Sequence, residues 1–387
     1  MNTFSNFQIN QMTVGIIGSG TMGIGIAQVA ATSGCDVFLY DANAHQTEKS
    51  LLNLKNTLTK LVEKQKISPE KSQDILSKIK VCTELSAFED CDLVIEAIIE
   101  NKEIKTKVFK DVEEIVSENC VIASNTSSIS ITSLQAELKN PARFIGIHFF
   151  NPAPLMPLVE VIPGLLTGDG LATEMYALME KWGKTPVIAK DVPGFIVNRI
   201  ARPFYGEALR IVEEHIATPA QVDDAMRTLG NFRMGPFELM DLIGIDVNFS
   251  VTKTVYADYF YDLKYQPSLL QQRMSEAKLL GRKTGKGFYD YTPGAPQPVA
   301  DKNEELYQQI FMRIISMLIN EAVEAKRLGI ANDEDLELAM QKGVNYPKGL
   351  LAWGREIGYG KISDTLQDLY RYYQQERYRQ SPLLTEM

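Results

Sequence analysis

A doubly wound α/β domain followed by two all-α domains is the fold class this sequence predicts, and three observations predict it. Short apolar runs alternate with helical patterns over roughly the first half of the chain. A glycine-rich turn joins the first run to the first helical pattern. Beyond residue 190 the strand-like runs stop, and the helical remainder repeats itself.

The runs are TVGIIG (13–18), DVFLYD (36–41), DLVIEAI (92–98), CVIASN (120–125), RFIGIHFF (143–150), LVEVI (158–162) and PVIAK (186–190). Most lack the polar–apolar alternation of a half-exposed strand, so both faces are expected to be covered, as in a largely parallel sheet of βαβ units. DVPGF (191–195) closes this part and places a boundary near residue 190. The proline-rich YTPGAPQPVA (291–300) reads as a linker. The expected division is 1–190, 191–293 and 301–387.

The last two segments are copies. A shift of 114 residues aligns Arg199 with Arg313, Glu207-Ala208 with Glu321-Ala322, Ala225-Met226 with Ala339-Met340, Gly235 with Gly349, and Ile243-Gly244 with Ile357-Gly358. Glycines match as well as helix faces, which two unrelated amphipathic helices would not require.

Composition narrows the function. The formal charge of -9 opposes a nucleic-acid partner, because phosphate binding needs a basic face. Cys35, Cys82, Cys91 and Cys120 have no C-x-x-C spacing and, with three scattered histidines, make neither a zinc set nor a disulfide framework. No metal is expected, and a reducing cytoplasm fits. The start MNTFSNFQINQ lacks the basic residues and apolar run of a secretion signal, and no apolar stretch approaches the length that spans a bilayer.

In GIIGSGTMGIGIA, Gly18, Gly20 and Gly23 stand at G-x-G-x-x-G spacing between a strand and a helix, with Ser19, Thr21 and Met22 between them. The three glycines allow a tight turn, approach of a pyrophosphate to bare backbone, and close helix–strand packing. Eighteen residues after Gly23, Asp41 ends the second strand, where a carboxylate accepts from both ribose hydroxyls and repels a 2′-phosphate. The pair predicts a Rossmann-type domain that binds NAD.

Oxidising an alcohol with NAD needs a base, and imidazole titrates in the useful range. His45 lies in a polar segment and His215 at a helix end, so His148 is the candidate by elimination. After HFF, the prolines of NPAPLMP turn the chain without helix and let LVEV return as a strand. That return sets Glu160 beside His148, to orient the ring and stabilise an imidazolium. SNTSSIS (124–130) follows a strand, and Asn198 comes early in the first helix past the boundary. Ser127 and Asn198 are candidate donors to a substrate's hydroxyl and carbonyl oxygens, although a helix cap and a packing amide would read the same way.

Six ordered motifs, GSGTMGIGIAQVAA, SNTSSISIT, GIHFFNPAPLMPLVEVI, DVPGFIVNRI, MGPFELMDLIG and GRKTGKGFYDY, make residues 13–291 resemble the L-3-hydroxyacyl-CoA dehydrogenase family. The resemblance implies helical carboxyl-terminal domains of the 6-phosphogluconate-dehydrogenase-like kind and NAD-dependent oxidation of the C3 hydroxyl of an acyl-CoA. It implies His148 as base, Glu160 as its partner, and Ser127 and Asn198 as substrate-positioning residues. Cofactor contacts at Glu100, Lys105 and Lys283 also rest on the resemblance, and charged surface helices or a loop lysine would look the same.

Residues 47–66 hold five lysines against two glutamates, with Leu51, Leu54, Leu58 and Leu61 as an apolar stripe and Thr57, Lys60 and Lys64 beside it. The resemblance puts Thr57 and Lys64 against the CoA portion, with threonine where the family commonly has serine. The second helical copy is similar to the tandem domains of longer bacterial relatives that act in phenylacetate and adipyl-CoA degradation. It has Met312 where the first has Asn198, so it is expected to be catalytically silent and to replace a homodimer partner. Three alternatives stand beside the main reading: a 3-hydroxyadipyl-CoA-specific enzyme, a dehydrogenase of free hydroxy acids or sugar acids, and a crystallin-like NAD-binding relative without turnover.

Overall fold

The computed structural model describes residues 12–296 and 298–387, so the amino-terminal stretch 1–11 and Gln297 of the linker lie outside the described residues. Contacts divide the chain between Val192 and Pro193, two residues past the expected boundary.

The first unit is built on eight strands: β1 (Thr13–Ile17), β2 (Asp36–Tyr40), β3 (Ile79–Cys82), β4 (Leu93–Glu96), β5 (Val121–Ser124), β6 (Phe144–Phe149), β7 (Leu158–Ile162) and β8 (Thr185–Ile188). They lie in the order β3-β2-β1-β4-β5-β6-β7-β8. All neighbours are parallel except β6 and β7, which are antiparallel because the proline corner joins them directly. Its α-helices among the described residues are α1 (Thr21–Ser33), α2 (Ala44–Glu63), α3 (Pro69–Lys78), α4 (Lys102–Glu113), α5 (Ile131–Gln135) and α6 (Leu171–Lys181). Val14, Ile16, Leu93 and Ile95 are fully buried. Each such side chain contributes about 1.5–3 kcal/mol.

Sequence patterning missed β3. It is a four-residue edge strand, IKVC, whose Lys80 and Val81 are exposed, so it carries no apolar run to find.

The second unit contains α7 (Val197–Ile200), α8 (Arg202–Glu213), α9 (Pro219–Gly230), α10 (Pro236–Ile243), α11 (Ile245–Asp258) and α12 (Leu269–Glu276) from the first copy. The second copy supplies α13 (Glu304–Arg327), α14 (Asp333–Gly343), α15 (Leu350–Ile357) and α16 (Tyr359–Tyr373). The shift of 114 residues that aligns the sequences carries the first residues of α9, α10 and α11 onto those of α14, α15 and α16. Helix caps repeat too. Asp223 accepts from the backbone N–H groups of Phe237 and Glu238, and Glu337 from those of Leu351 and Ala352, the matching positions.

The two copies pack together reciprocally. Arg199 Nε donates to Glu321 at 2.6 Å, and Arg313 Nε donates to Glu207 at 3.0 Å. Each pair joins the same two positions with the copies exchanged, which is the signature of a two-fold interface. All four side chains are buried. Such pairs add little net stability but tolerate no partial removal, so they specify how the copies meet.

Candidate active site

The site is assembled at the carboxyl ends of the first unit's strands. Gly18 follows β1 with φ +97°, and a Cβ there would come within 2.7 Å of the Ala97 carbonyl just past β4. A Cβ on Gly23 would lie 1.7 Å from the Gly18 carbonyl oxygen, so only glycine lets α1 begin there. Around Gly20 no protein atom lies within 4 Å of a Cβ. Packing does not explain this glycine, whereas a phosphate resting on the α1 amino terminus would need that space. These residues fit a dinucleotide.

Asp41, just after β2, accepts from the Ser19 N–H at 2.7 Å and its hydroxyl at 2.9 Å, which ties this carboxylate to the glycine turn. Thr21 and Met22 open α1.

Antiparallel register sets His148 of β6 directly opposite Glu160 of β7. His148 Nδ1 and Glu160 Oε2 lie 2.7 Å apart, with Glu160 fully buried and His148 6% exposed. A carboxylate only accepts, so Nδ1 is the donor and Nε2 is the ring's basic nitrogen. The Phe150 ring packs on the imidazole with centroids 4.5 Å apart. His45 and His215, the other histidines, are exposed.

The proline corner is held from two sides. A Cβ on Gly25 of α1 would meet Ala153 and Pro154 at 3.2 Å, so the cofactor helix packs closely on the corner. The Lys184 ammonium donates to the carbonyls of Ala153 and Met156, and burial lowers its pKa to about 8. Asn125, after β5, accepts from the Phe149 N–H at 2.8 Å and links the SNTSS segment to β6.

A carboxylate network organises that segment. Glu100 accepts from the Thr126 hydroxyl at 2.6 Å, the Ser127 N–H at 2.9 Å and the Ser128 hydroxyl at 2.9 Å. Burial pushes the Glu100 carboxyl up, but the Lys105 ammonium at 3.2 Å and the donors of residues 126–128 outweigh it and hold the group below the ordinary range. Lys105 is not on a solvated helix face. It is buried and also pairs with Glu96 at 2.5 Å, on β4, where Ser124 donates to the other carboxylate oxygen. Burial raises the Glu96 carboxyl against the pull of Lys105. Sequence reasoning missed Glu96, although an acid closing the apolar run LVIE was a usable signal.

On α2, Leu54 and Leu58 are buried and Leu51 and Leu61 half-buried, while Thr57, Lys60 and Lys64 lie exposed at one-turn spacing. In the second unit, Lys283 pairs with Asp246 at 2.5 Å at the start of α11. Asn198 lies on α7, and its carbonyl accepts from Arg202. Among the described residues no group of His, Cys, Asp and Glu has the arrangement of a metal site.

Residues 13–192 match the 3-hydroxyacyl-CoA dehydrogenase NAD-binding domain, and residues 194–291 and 310–387 each match that enzyme's carboxyl-terminal domain. The chain belongs to the 3-hydroxyacyl-CoA dehydrogenase family. It is 37% identical to 3-hydroxyadipyl-CoA dehydrogenase of Escherichia coli, with 98% of each chain covered. Identity to a probable 3-hydroxybutyryl-CoA dehydrogenase of Deinococcus radiodurans is 45%, covering 72% of this chain and 100% of the relative. The crystal structure of 3-hydroxybutyryl-CoA dehydrogenase from E. coli superposes with a TM-score of 0.92 at 35% identity, over 97% of this chain and 98% of that one.

Proposed function

We propose that the protein oxidises the C3 hydroxyl of (S)-3-hydroxyacyl-CoA to the 3-oxoacyl-CoA, reversibly, with NAD. The observation that carries this reading is the buried His148–Glu160 pair on the same sheet as a glycine turn shaped for a dinucleotide, in a chain of this family. NAD, when bound, supplies the hydride acceptor. His148 Nε2 takes the hydroxyl proton, and Glu160 stabilises the resulting imidazolium. Ser127 and Asn198 orient the substrate oxygens. Gly18, Ser19, Gly20, Thr21, Met22, Gly23 and Asp41 hold the cofactor, with Glu100, Lys105 and Lys283 completing its surroundings, the first two by shaping the SNTSS segment. Thr57 and Lys64 receive the CoA portion. The reciprocal Arg199–Glu321 and Arg313–Glu207 pairs support a second copy that takes the place of a homodimer partner.

No helix among the described residues is long and apolar enough to cross a membrane. The four unpaired cysteine thiols are consistent with work in the cytoplasm. Following NADH at 340 nm with a panel of 3-oxoacyl-CoA esters tests the activity. NAD binding without turnover of any ester would favour a crystallin-like relative instead.

A further inference from the structure

Five arginines are buried among the described residues, and four of them face a carboxylate: Arg143 faces Glu113, Arg199 faces Glu321, and Arg313 and Arg377 face Glu207 and Glu214. Arg202, 6% exposed, has no acid within 4 Å among the described residues. Its Nε donates to the Asn198 carbonyl at 2.7 Å and its Nη1 to the Thr252 hydroxyl at 3.1 Å. Its face lies over the Tyr205 ring, with Cζ 5.1 Å from the centroid. A guanidinium has five N–H donors, so most of this one's capacity is not used by the protein. Burial pushes it below the ordinary arginine range, and the Tyr205 and Tyr346 hydroxyls only partly oppose that.

Tyr346, on the turn before α15 in the second copy, stands in this cluster. It is 5% exposed, packs on Phe204 and Phe232, and its buried hydroxyl has no hydrogen-bond partner. An unused guanidinium edge and an unused phenol in one enclosed cluster are what a carboxylate ligand requires, two charge-assisted N–H bonds and one O–H bond. A protein that needed neither would bury apolar residues there at less cost.

The geometry points to Arg202 and Tyr346 as the subsite for a carboxylate at the far end of the acyl chain, so that the preferred substrate is a dicarboxylic acyl-CoA. This rests on the proposed 3-hydroxyacyl-CoA reading and on Asn198 as a substrate residue. Arg202 opens α8 just past α7, and its Nε reaches the Asn198 carbonyl at 2.7 Å, so the guanidinium lies within the span of a few methylenes from that residue. It also gives the second copy a task within the reaction: its turn supplies the phenol.

The test measures kcat and KM of the full-length protein with 3-oxoadipyl-CoA and with 3-oxohexanoyl-CoA, which has the same chain length and a methyl end. The unmodified protein is expected to prefer the carboxylate ester in kcat/KM. Arg202→Met is expected to lower that preference at least about 30-fold, mainly through KM, because both charge-assisted hydrogen bonds to the carboxylate are lost. Tyr346→Phe removes only a hydroxyl without a partner and is expected to lower it about fivefold with unchanged thermal stability. Equal losses on both esters in Arg202→Met would mark a structural residue and overturn the inference. If Arg202→Met fails to fold, Tyr346→Phe decides, and an unchanged preference overturns it. Turnover of the hexanoyl ester without any preference defeats this inference alone, whereas turnover of neither ester defeats the underlying reading as well.

Discussion

Replacing Glu160 with glutamine tests the proposed chemistry most directly, because it removes a charge while keeping the side chain's shape and an oxygen that can accept from His148 Nδ1. The carboxylate sits 2.7 Å from Nδ1, and both groups are shielded from water. Two unit charges about 4 Å apart attract by roughly 4 kcal/mol at an effective dielectric constant near 20. The imidazole carries its new charge only partly in the transition state, so about 3 kcal/mol is at stake, or roughly a 100-fold loss in kcat. The loss should fall on kcat, since the charge stabilises a state formed after substrate binds. NADH formation at saturating 3-hydroxyacyl-CoA and NAD gives kcat for oxidation, and quenching of protein fluorescence gives NAD affinity, which should not change. A folded Glu160→Gln protein within threefold of the parent kcat would refute the assignment of base and partner.

The glycine turn separates two kinds of glycine. Gly23→Ala forces a Cβ against the Gly18 carbonyl and should cost about 1–3 kcal/mol in urea unfolding. Gly20→Ala should cost under about 1 kcal/mol yet weaken NAD binding at least about tenfold by titration, because its Cβ meets no protein atom and fills only the cradle. Lys64→Glu should raise KM for the CoA ester while leaving NAD affinity nearly unchanged; equal effects on both would remove Lys64 from the CoA site. Lys184 has its pKa lowered to about 8 in the folded protein from 10.5. Between those values the unfolded chain holds the extra proton, so this group makes stability rise with pH from about 8 to 10. Lys184→Met should flatten that slope in unfolding midpoints at pH 7.5 and 9.5; an unaltered slope would show the lysine titrating as if in solvent. Deleting residues 301–387 would strip Arg199 and Glu207 of their main partners and should cause dimerisation or aggregation in sedimentation, whereas a stable monomer would count against the internal-partner reading.

What could be read in the chain and what could not differ by the range of the interaction involved. The glycine spacing, the apolar runs and the prolines after His148 are local, and each restricts backbone conformation within a few residues, so Gly18, Gly23 and the return of β7 were legible without coordinates. The 114-residue repeat was legible because its register is preserved in α9–α11 and α14–α16. Strand β3 was not, since a short, half-exposed edge carries no periodic signal.

By itself, the sequence determined a Rossmann-type first unit, a duplicated helical second part and the identity of the residue types available for chemistry. Only the tertiary structure decided which of those residues meet. It put Glu160 opposite His148 rather than one position along, where alternation would have turned it to the other face of the sheet. It buried Lys105 between Glu96 and Glu100, paired each interface arginine with the other copy's glutamate, and left Arg202 without an acid among the described residues. Burial and charge pairing depend on groups far apart along the chain, and no local pattern of residues encodes their distance.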